Sequence, residues 1–501
     1  MSLLADAPRA AGVLLHPTSL PGPHGVGELG VEARRFLDWM SEAGASFWQV
    51  LPLVPPGSGH SPYATPAALA MDPRLIDPRE LVAWGLLDRV PDAPAADSLD
   101  RADFDRTTAW KSQLVRAASA RLHARPDHPL RPALAAFRAE ADWVEETALF
   151  LALRAARRGE PWWRWPAPLR DRDPGALAAA RETHAHAIED LVTTQFLVER
   201  QWQALRAYAS ARGIRVIGDL PIYVDRDSAD VWAARDQFQL HPDGTPRAVA
   251  GVPPDYFSAT GQLWGNPLYD WERMAQDGYA FWRRRLRRTF EQVDVVRIDH
   301  FRAFAAYWAV PAGAPDARGG RWVEGPGRHF FDAMRESLGE APIIAEDLGI
   351  AGPEVHALLE AVGFPGMAVL QFAFGGGADN AYLPHNHVRN AVVYPGTHDN
   401  DTTVGWWGSA DESVRDHVRR YLRTDGSDIA DVLCRAALGS VARTAILPLQ
   451  DILALGGDAR MNVPGRAEGN WTWRVRAEAF NRDTASALRE RLELYGRLAE
   501  R

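Results

Sequence analysis

The sequence predicts an α/β fold, a (β/α)8 TIM barrel with large insertions at the C-terminal face of its strands. Three short apolar runs end in acidic residues, at 295–302, 342–349 and 391–401. Five more apolar runs of strand length occur along the chain, with helical stretches between them. The carboxyl ends of all strands share one face of such a barrel, so the acids should gather there.

These runs place the eight strands in chain order. We predict them at 12–16, 46–53, 214–222, 295–302, in a run ending at Glu346, at 366–372, in a run ending at Asp399, and at 444–449. A first helix should span 31–43, where apolar residues recur at helical spacing. A last helix should span about 483–500, which leaves no place for a C-terminal β-sandwich.

Two long stretches interrupt the alternation of strands and helices. Residues 80–205 are rich in Ala, Arg and Leu with helical spacing, and residues 225–275 carry Gly and Pro around aromatic side chains. The second stretch favours a shaped loop over a strand or helix. We therefore divide the chain into 1–65 as the first part of the barrel, 66–205 as a mainly helical insertion after strand two, 206–224 as barrel strand three, 225–275 as a loop-rich insertion with an aromatic lid, and 276–501 as the remainder of the barrel.

Charge and hydropathy exclude several classes of protein. The net charge is −9, from 56 basic and 65 acidic residues. Nucleic acids and anionic membranes are therefore not expected partners. The chain shows neither a signal-peptide pattern at its start nor an apolar run of transmembrane length, so we expect a cytoplasmic protein.

Two rare residue types narrow the chemistry. Cys434 is the one cysteine, which excludes an internal disulfide and a cysteine metal cluster. Lys111 is the one lysine, in a stretch typical of an ordinary helix start. Schiff-base and P-loop chemistry, which both need a placed lysine, are not expected. The histidines show no ligand spacing, so we expect neither a metal nor a cofactor.

The run at 295–302 holds the first candidate catalytic group. Side chains alternate along a strand, so Arg297 and Asp299 share one face if Val296 and Ile298 face covering helices. A guanidinium beside a carboxylate favours the ionised acid that a nucleophile requires. The alternative is a strand-end salt bridge. For the run at 342–349, physical reasoning does not choose between Glu346 and Asp347. For the run at 391–401, it does not choose between Asp399 and Asp401.

Three motifs resemble those of a known family. Arg-Ile-Asp-His-Phe-Arg at 297–302, Ala-Glu-Asp-Leu-Gly at 345–349 and Gly-Thr-His-Asp-Asn-Asp-Thr-Thr at 396–403 occur in this order. They resemble the 4-α-glucanotransferases called amylomaltases or disproportionating enzymes, relatives of the α-amylases. The resemblance extends from Leu-Leu-His-Pro-Thr-Ser-Leu-Pro at 14–21 to Asn-Trp-Thr-Trp-Arg at 470–474.

The resemblance implies a role for each candidate site residue. Retaining cleavage of a glycosidic bond uses two carboxyl groups roughly 5 Å apart. The resemblance implies Asp299 as nucleophile, Glu346 as acid/base with a raised pKa, and Asp399 as a third carboxylate that holds sugar hydroxyls. It implies substrate contacts or support from Tyr63, Asp219, Tyr256, Phe257, Trp264, Asn266, Arg297, His300, His398 and Asn462.

The expected function is 4-α-glucanotransferase activity on maltooligosaccharides and amylose, through a covalent glucosyl-enzyme intermediate; transfer within one chain would give cyclic glucans. The expected form is a monomer. One alternative is a hydrolase on the same scaffold, an α-amylase or α-glucosidase; the aromatic lid and the missing β-sandwich count against it. Another is a catalytically silent glucan-binding protein, which would need a defect among Asp299, Glu346 and Asp399.

Overall fold

A computed structural model describes residues 8–94, 98–254, 258–349 and 352–499. The strands in these ranges are β1 (Ala10–Leu14), β2 (Phe47–Gln49), β3 (Arg215–Pro221), β4 (Ala248–Val252), β5 (Gln262–Pro267), β6 (Val295–Asp299), β7 (Ala306–Pro311), β8 (Arg321–Glu324), β9 (Ile343–Ala345), β10 (Gly366–Val369), β11 (Ala391–Tyr394) and β12 (Thr444–Pro448).

Eight of these strands form the parallel sheet of a nearly closed barrel. Its order is β10-β11-β12-β1-β2-β3-β6-β9. The backbone N–H of Ala345 in β9 donates to the carbonyl of Pro365, just before β10, at 2.9 Å, which brings the two outer strands together. The predicted (β/α)8 barrel is confirmed, and each of the eight predicted runs overlaps one of its strands, although β1 begins at Ala10, two residues before the run at 12–16.

Several barrel strands are shorter than their apolar runs. The second strand was predicted at 46–53, but β2 ends at Gln49, ahead of Pro52. The seventh was predicted to end at Asp399, but β11 ends at Tyr394, because Pro395 follows and proline has no N–H for the ladder. Asp399 therefore lies in a loop beyond the strand, which matters for how it is held.

The helices in the described ranges are α1 (Val31–Ala43), α2 (Pro78–Ala83), α3 (Phe104–His123), α4 (Arg131–Glu140), α5 (Val144–Ala156), α6 (Ala167–Arg170), α7 (Pro174–Thr183), α8 (Ala185–Ser210), α9 (Ala229–Ala233), α10 (Trp271–Gln276), α11 (Ala280–Gln292), α12 (Gly327–Leu338), α13 (Pro353–Val362), α14 (Thr403–Ser409), α15 (Glu412–Leu422), α16 (Ile429–Gly439), α17 (Leu449–Ile452) and α18 (Arg482–Leu494). None of them is both long and apolar enough to cross a membrane.

Two helix predictions were wrong in their bounds. The last helix was expected to continue to about residue 500, but α18 ends at Leu494, and Gly496 adopts a left-handed φ of 61° just after it. The stretch around Lys111 is not a helix start, because α3 begins at Phe104 and Lys111 lies in its buried interior. Helices α2 to α8 fill the chain between β2 and β3.

A second, antiparallel sheet lies outside the barrel, in the order β5-β4-β7-β8. Strands β4 and β5 occupy the 225–275 stretch, for which a loop was expected over a strand. The expectation was wrong because β4 pairs with β7, which comes from the chain between barrel strands β6 and β9. This pairing partner is distant in sequence, and it supplies backbone hydrogen bonds that local glycines and prolines do not reveal.

Candidate active site

The candidate site lies where β6, β9 and β11 end. Asp299 is the last residue of β6, Glu346 directly follows β9, and Asp399 lies in the loop after β11. Parallel strands present their carboxyl ends on one face, so three runs distant in sequence deliver their acids to one place.

Arg297 lies at the centre of the ion pairs at this site. It is 3% exposed, and its Nη1 lies 3.0 Å from Asp299 Oδ1 and 2.7 Å from Asp219 Oδ2. Asp219 sits directly opposite Arg297 in the ladder between β3 and β6, which explains the short contact. Burial alone would lower the pKa of Arg297, but the carboxylates of Asp219 and Asp299 raise it well above its usual value, so the charge is permanent.

Burial and the Arg297 guanidinium have opposing effects on the pKa of Asp299. Burial raises its pKa to about 6 even though the Arg297 guanidinium lowers it, and the negative charges of Asp219 and Asp399 act in the same direction as burial. The sequence-based argument counted Arg297 and omitted burial, so it was incomplete. Asp299 is ionised only above a mildly acidic pH.

Glu346 is held by backbone donors. Its Oε2 accepts a hydrogen bond from His300 N–H at 2.7 Å, and its Oε1 accepts one from Leu348 N–H at 3.0 Å. His300 has a left-handed φ of 52° immediately after β6. Burial raises the pKa of Glu346 to about 8 despite Arg297, and Asp299 adds to the increase. A carboxyl that keeps its proton near neutral pH can act as a general acid.

The structure separates the pairs that sequence reasoning left open. Asp347 accepts a hydrogen bond from Met367 N–H at 2.8 Å and so ties the end of β9 to β10. Asp401 accepts one from Thr402 N–H at 2.8 Å, at the start of α14. Glu346, in contrast, faces the β6 end, and Asp399 lies beside His398.

Asp399 is more exposed than Asp299, with 45% of its side chain accessible against 28%. Its Oδ1 accepts a hydrogen bond from Asn462 Nδ2 at 2.6 Å, and its Oδ2 lies 3.5 Å from His398 Nε2. The second oxygen is thus accessible to a ligand.

Tyr63 connects two sides of the site. Its hydroxyl donates to Asp219 Oδ2 at 2.7 Å and lies 2.8 Å from His398 Nε2. The Tyr63 and His398 rings are stacked, with 5.4 Å between centroids and 10° between planes. Burial and Asp219 raise the pKa of Tyr63 well above its usual value, so the hydroxyl keeps its proton.

The aromatic side of the site comes from β5 and His300. The Trp264 ring is 38% exposed and meets the His300 ring edge-on at 4.7 Å. Burial and Arg302 lower the pKa of His300 to about 3, so this imidazole is neutral. Asn266 is directed elsewhere: its Nδ2 donates to the carbonyl of Val224 at 2.9 Å and fastens β5 to the chain after β3.

Tyr256 and Phe257 of the predicted lid lie outside the described residues. Sequence reasoning missed two residues that the fold brings to the site. The Trp471 ring lies 5.9 Å from Tyr63 and 6.1 Å from His398. Arg460 donates from Nη2 to the carbonyl of Asp399 at 2.7 Å. The motif at 470–474 was a signal for Trp471, whereas no sequence pattern pointed to Arg460.

Comparison with known proteins gives a consistent result. The sequence model of the glycoside hydrolase 77 family, described as 4-alpha-glucanotransferase, matches residues 15–479. A 4-alpha-glucanotransferase of Thermus thermophilus is 48% identical over 98% of this chain and 100% of its own length. One from Synechocystis is 46% identical over 98% of both chains.

A solved structure has the same fold throughout. The amylomaltase from Streptococcus agalactiae, determined in complex with acarbose, superposes with a TM-score of 0.94 and 34% identity. The match covers 98% of this chain and 99% of that one.

Proposed function

This chain belongs to the 4-alpha-glucanotransferase family, and we propose that Asp299 and Glu346 carry out its reaction by a retaining double displacement. The enzyme is a 4-alpha-glucanotransferase; the hydrolase and the silent binding protein are not favoured. The observation that carries the proposed mechanism is the pair of unequal carboxyl groups. The pKa of Glu346 is raised to about 8 and that of Asp299 only to about 6, so near neutral pH one is protonated and the other ionised.

In the first step, the Asp299 carboxylate attacks the anomeric carbon of the donor glucan. Glu346 gives its proton to the glycosidic oxygen, and the reducing-end segment of the donor leaves. A covalent glucosyl-enzyme ester with inverted anomeric configuration remains. Arg297 fixes the position of the Asp299 oxygen from 3.0 Å and keeps it ionised against the effect of burial.

In the second step, Glu346 is a carboxylate and takes the proton of an acceptor hydroxyl. The acceptor oxygen attacks the anomeric carbon, the ester bond to Asp299 breaks, and the configuration is restored. The backbone N–H groups of His300 and Leu348 hold Glu346 in one place for both proton transfers.

The remaining residues bind the sugar ring between these steps. Asp399 offers its exposed oxygen to ring hydroxyls, with Tyr63 and His398 on one side. The related Streptococcus agalactiae enzyme was solved with acarbose. We infer α-1,4-glucans and maltooligosaccharides as substrates here. Trp264 provides an exposed indole, and on the resemblance alone we assign Tyr256 and Phe257 to the same sugar chain.

Incubation with maltotriose alone tests the function. Transfer gives glucose together with a ladder of longer oligosaccharides, whereas hydrolysis gives glucose and maltose without a ladder. Asp299→Asn is the matched control: it removes one charge at nearly constant volume, so turnover should fall by a factor of about 10⁴ or more while the protein stays folded and still binds maltooligosaccharides. Turnover that survives in Asp299→Asn places the nucleophile elsewhere.

We further infer that the enzyme works as a monomer in the cytoplasm. Its net charge of −9 favours neutral sugar chains over nucleic acid as partners. Sedimentation of the purified protein tests the monomer, since a dimer would double the expected mass of 55.3 kDa.

A further inference from the structure

The segment 460–462 lies against the loop that carries Asp399. The Asn462 N–H donates to the carbonyl of His398 at 3.2 Å, and Asn462 Nδ2 donates to Asp399 Oδ1 at 2.6 Å. One residue thus contacts both the backbone and the carboxylate of the loop. Of the three acids, Asp399 is the one held by a side-chain amide from a distant segment.

Arg460 connects the two segments through its guanidinium. Its Nη2 donates to the carbonyl of Asp399 at 2.7 Å, and its Nε donates to the carbonyl of Asn462 at 2.7 Å. The planar guanidinium therefore links Asp399 to Asn462, whose side-chain amide binds the Asp399 carboxylate. Lysine, with a single nitrogen on a flexible stem, cannot reproduce this geometry.

The Asp399 loop needs such support because of where it lies. It follows the end of β11 at Tyr394, so no strand pairing holds Asp399 itself. Its neighbours Thr397, His398 and Asp401 border a small cavity that Arg460 also lines. Next to a cavity the loop has fewer packing contacts, so hydrogen bonds contribute more to the position of its backbone.

We propose that Arg460 is a positioning residue for glucan transfer, which sets the Asp399 carboxylate by linking its backbone to Asn462. This inference rests on the proposed role of Asp399 at the sugar ring. Arg460 acts through Asp399 and Asn462 and does not touch the reacting atoms. A displacement of about 1 Å in a group that binds the distorted ring can cost about 10²-fold in rate.

The test compares Arg460→Met and Arg460→Lys with Arg466→Met, an exposed arginine of the same loop. Initial rates of maltotriose transfer give kcat and KM, and thermal unfolding reports the folded state. Arg460→Met should lower kcat by about 10²-fold with a smaller change in KM. Arg460→Lys should retain part of this rate, and Arg466→Met should match the wild type. If Arg460→Met loses activity only because less of the protein is folded, kcat per folded enzyme will be unchanged. That result would assign Arg460 to fold stability and overturn the proposal.

A double-mutant cycle shows through which group Arg460 acts. In an Asp399→Asn background, adding Arg460→Met should cost little beyond the single change, because the group it positions has already been altered. An undiminished 10²-fold loss in that background would mean that Arg460 acts elsewhere. If Asp399→Asn itself leaves kcat unchanged, the proposed role of Asp399 fails first, and the positioning role fails with it. If Asp399→Asn inactivates and Arg460→Met does not, only the present inference fails.

Discussion

At the scale of single residues, the proposed mechanism depends on a difference between two carboxyl groups at neighbouring strand ends. Both are raised in pKa by burial, but Arg297 contacts Asp299 directly and Glu346 is bonded only to backbone N–H groups. The contact with a full positive charge keeps the pKa of Asp299 near 6, below the value of about 8 at Glu346. The proposed assignment of Asp299 as nucleophile and Glu346 as acid follows from this order.

The same order predicts the pH dependence of transfer. Asp299 must be ionised, so activity is lost as pH falls through about 6, and Glu346 must be protonated, so activity is lost as pH rises through about 8. A plot of kcat/KM for maltotriose against pH should be bell-shaped between these values, and its two limbs belong to the coupled pair.

Glu346→Gln provides the control for this profile. A glucosyl fluoride donor has a leaving group that needs no proton. With this donor, the pH profile for the first step in Glu346→Gln should keep its acidic limb and lose its alkaline limb. An alkaline limb that persists in Glu346→Gln would belong to another group.

At the scale of elements, the β4–β5 hairpin brings an indole to the site from a sheet that is not part of the barrel. Trp264 lies on β5 and meets His300, which follows barrel strand β6. A bound acceptor glucan can cover this indole and exclude water from the ester intermediate. We therefore expect Trp264 to favour transfer to sugar over transfer to water.

Trp264→Ala should therefore raise the ratio of hydrolysis to transfer several-fold, because acceptor binding weakens while water is unaffected. The ratio is measured as free reducing ends against chain-lengthened products from maltotriose. Trp322→Ala is a matched control, since Trp322 lies on β8 at the opposite edge of the same sheet with a similar exposure, 43% against 38%. Equal ratios in both variants would remove Trp264 from the acceptor site.

The helical insertion is fastened to the barrel by a buried ion pair. Lys111 of α3 lies 2.6 Å from Glu28 Oε1 and donates to the carbonyl of Ile76 at 2.7 Å. Both charged side chains are less than 5% exposed. Glu28 belongs to the loop after β1, so this pair joins the insertion to the first barrel connection.

Lys111→Met should lower the free energy of unfolding by about 3–5 kcal/mol, since the buried Glu28 carboxylate loses its closest positive charge and keeps His24 and the more distant Arg79 and Arg474. Chemical denaturation measures the change, and Arg116→Met, at an exposed position of the same helix, should be nearly neutral. Adding Glu28→Gln to Lys111→Met should recover part of the loss. A Lys111→Met protein as stable as the wild type would mean that the pair contributes nothing.

At the scale of the whole molecule, the end of the chain secures the seam between the first and last barrel strands. The buried Arg497 guanidinium donates to five backbone carbonyls, those of Ala10, Leu438, Ser440, Ala442 and Arg443, at 2.7–3.0 Å. Burial and Arg9 lower the pKa of Arg497 to about 9. One side chain thus satisfies carbonyls around the start of both β1 and β12.

Arg497→Met should destabilise the protein by about 3 kcal/mol, because five backbone carbonyls lose a hydrogen bond from a charged donor. Arg9 still donates to the carbonyls of Leu438 and Ser440, and the Ala10 N–H to that of Arg443. The expected readout is a shorter half-life at elevated temperature with unchanged kcat for the remaining folded enzyme. Arg482→Met, whose side chain is 89% exposed in α18, serves as the neutral comparison. Equal half-lives for the two variants would contradict the role of Arg497 at the seam.

The barrel and the acids at its strand ends could be predicted from local sequence. Eight buried parallel strands must be apolar runs, and functional side chains must follow their carboxyl ends. Both features can therefore be recognised in the amino-acid sequence. The motifs around Asp299, Glu346 and Asp399 added an expected role for each acid. These inferences needed only local sequence, because each concerns residues within a few positions of one another.

Contacts between distant segments account for the features that the sequence did not predict. The pKa order of Asp299 and Glu346 arises from burial, which no local pattern records. Asp347 is bonded to the next strand whereas Glu346 is bonded at the end of β6, and β4 and β5 exist because of pairing with β7. The contact of Arg460 with Asp399 joins residues 61 positions apart. Such contacts form only when the barrel closes, since loops after different strands then meet at one face.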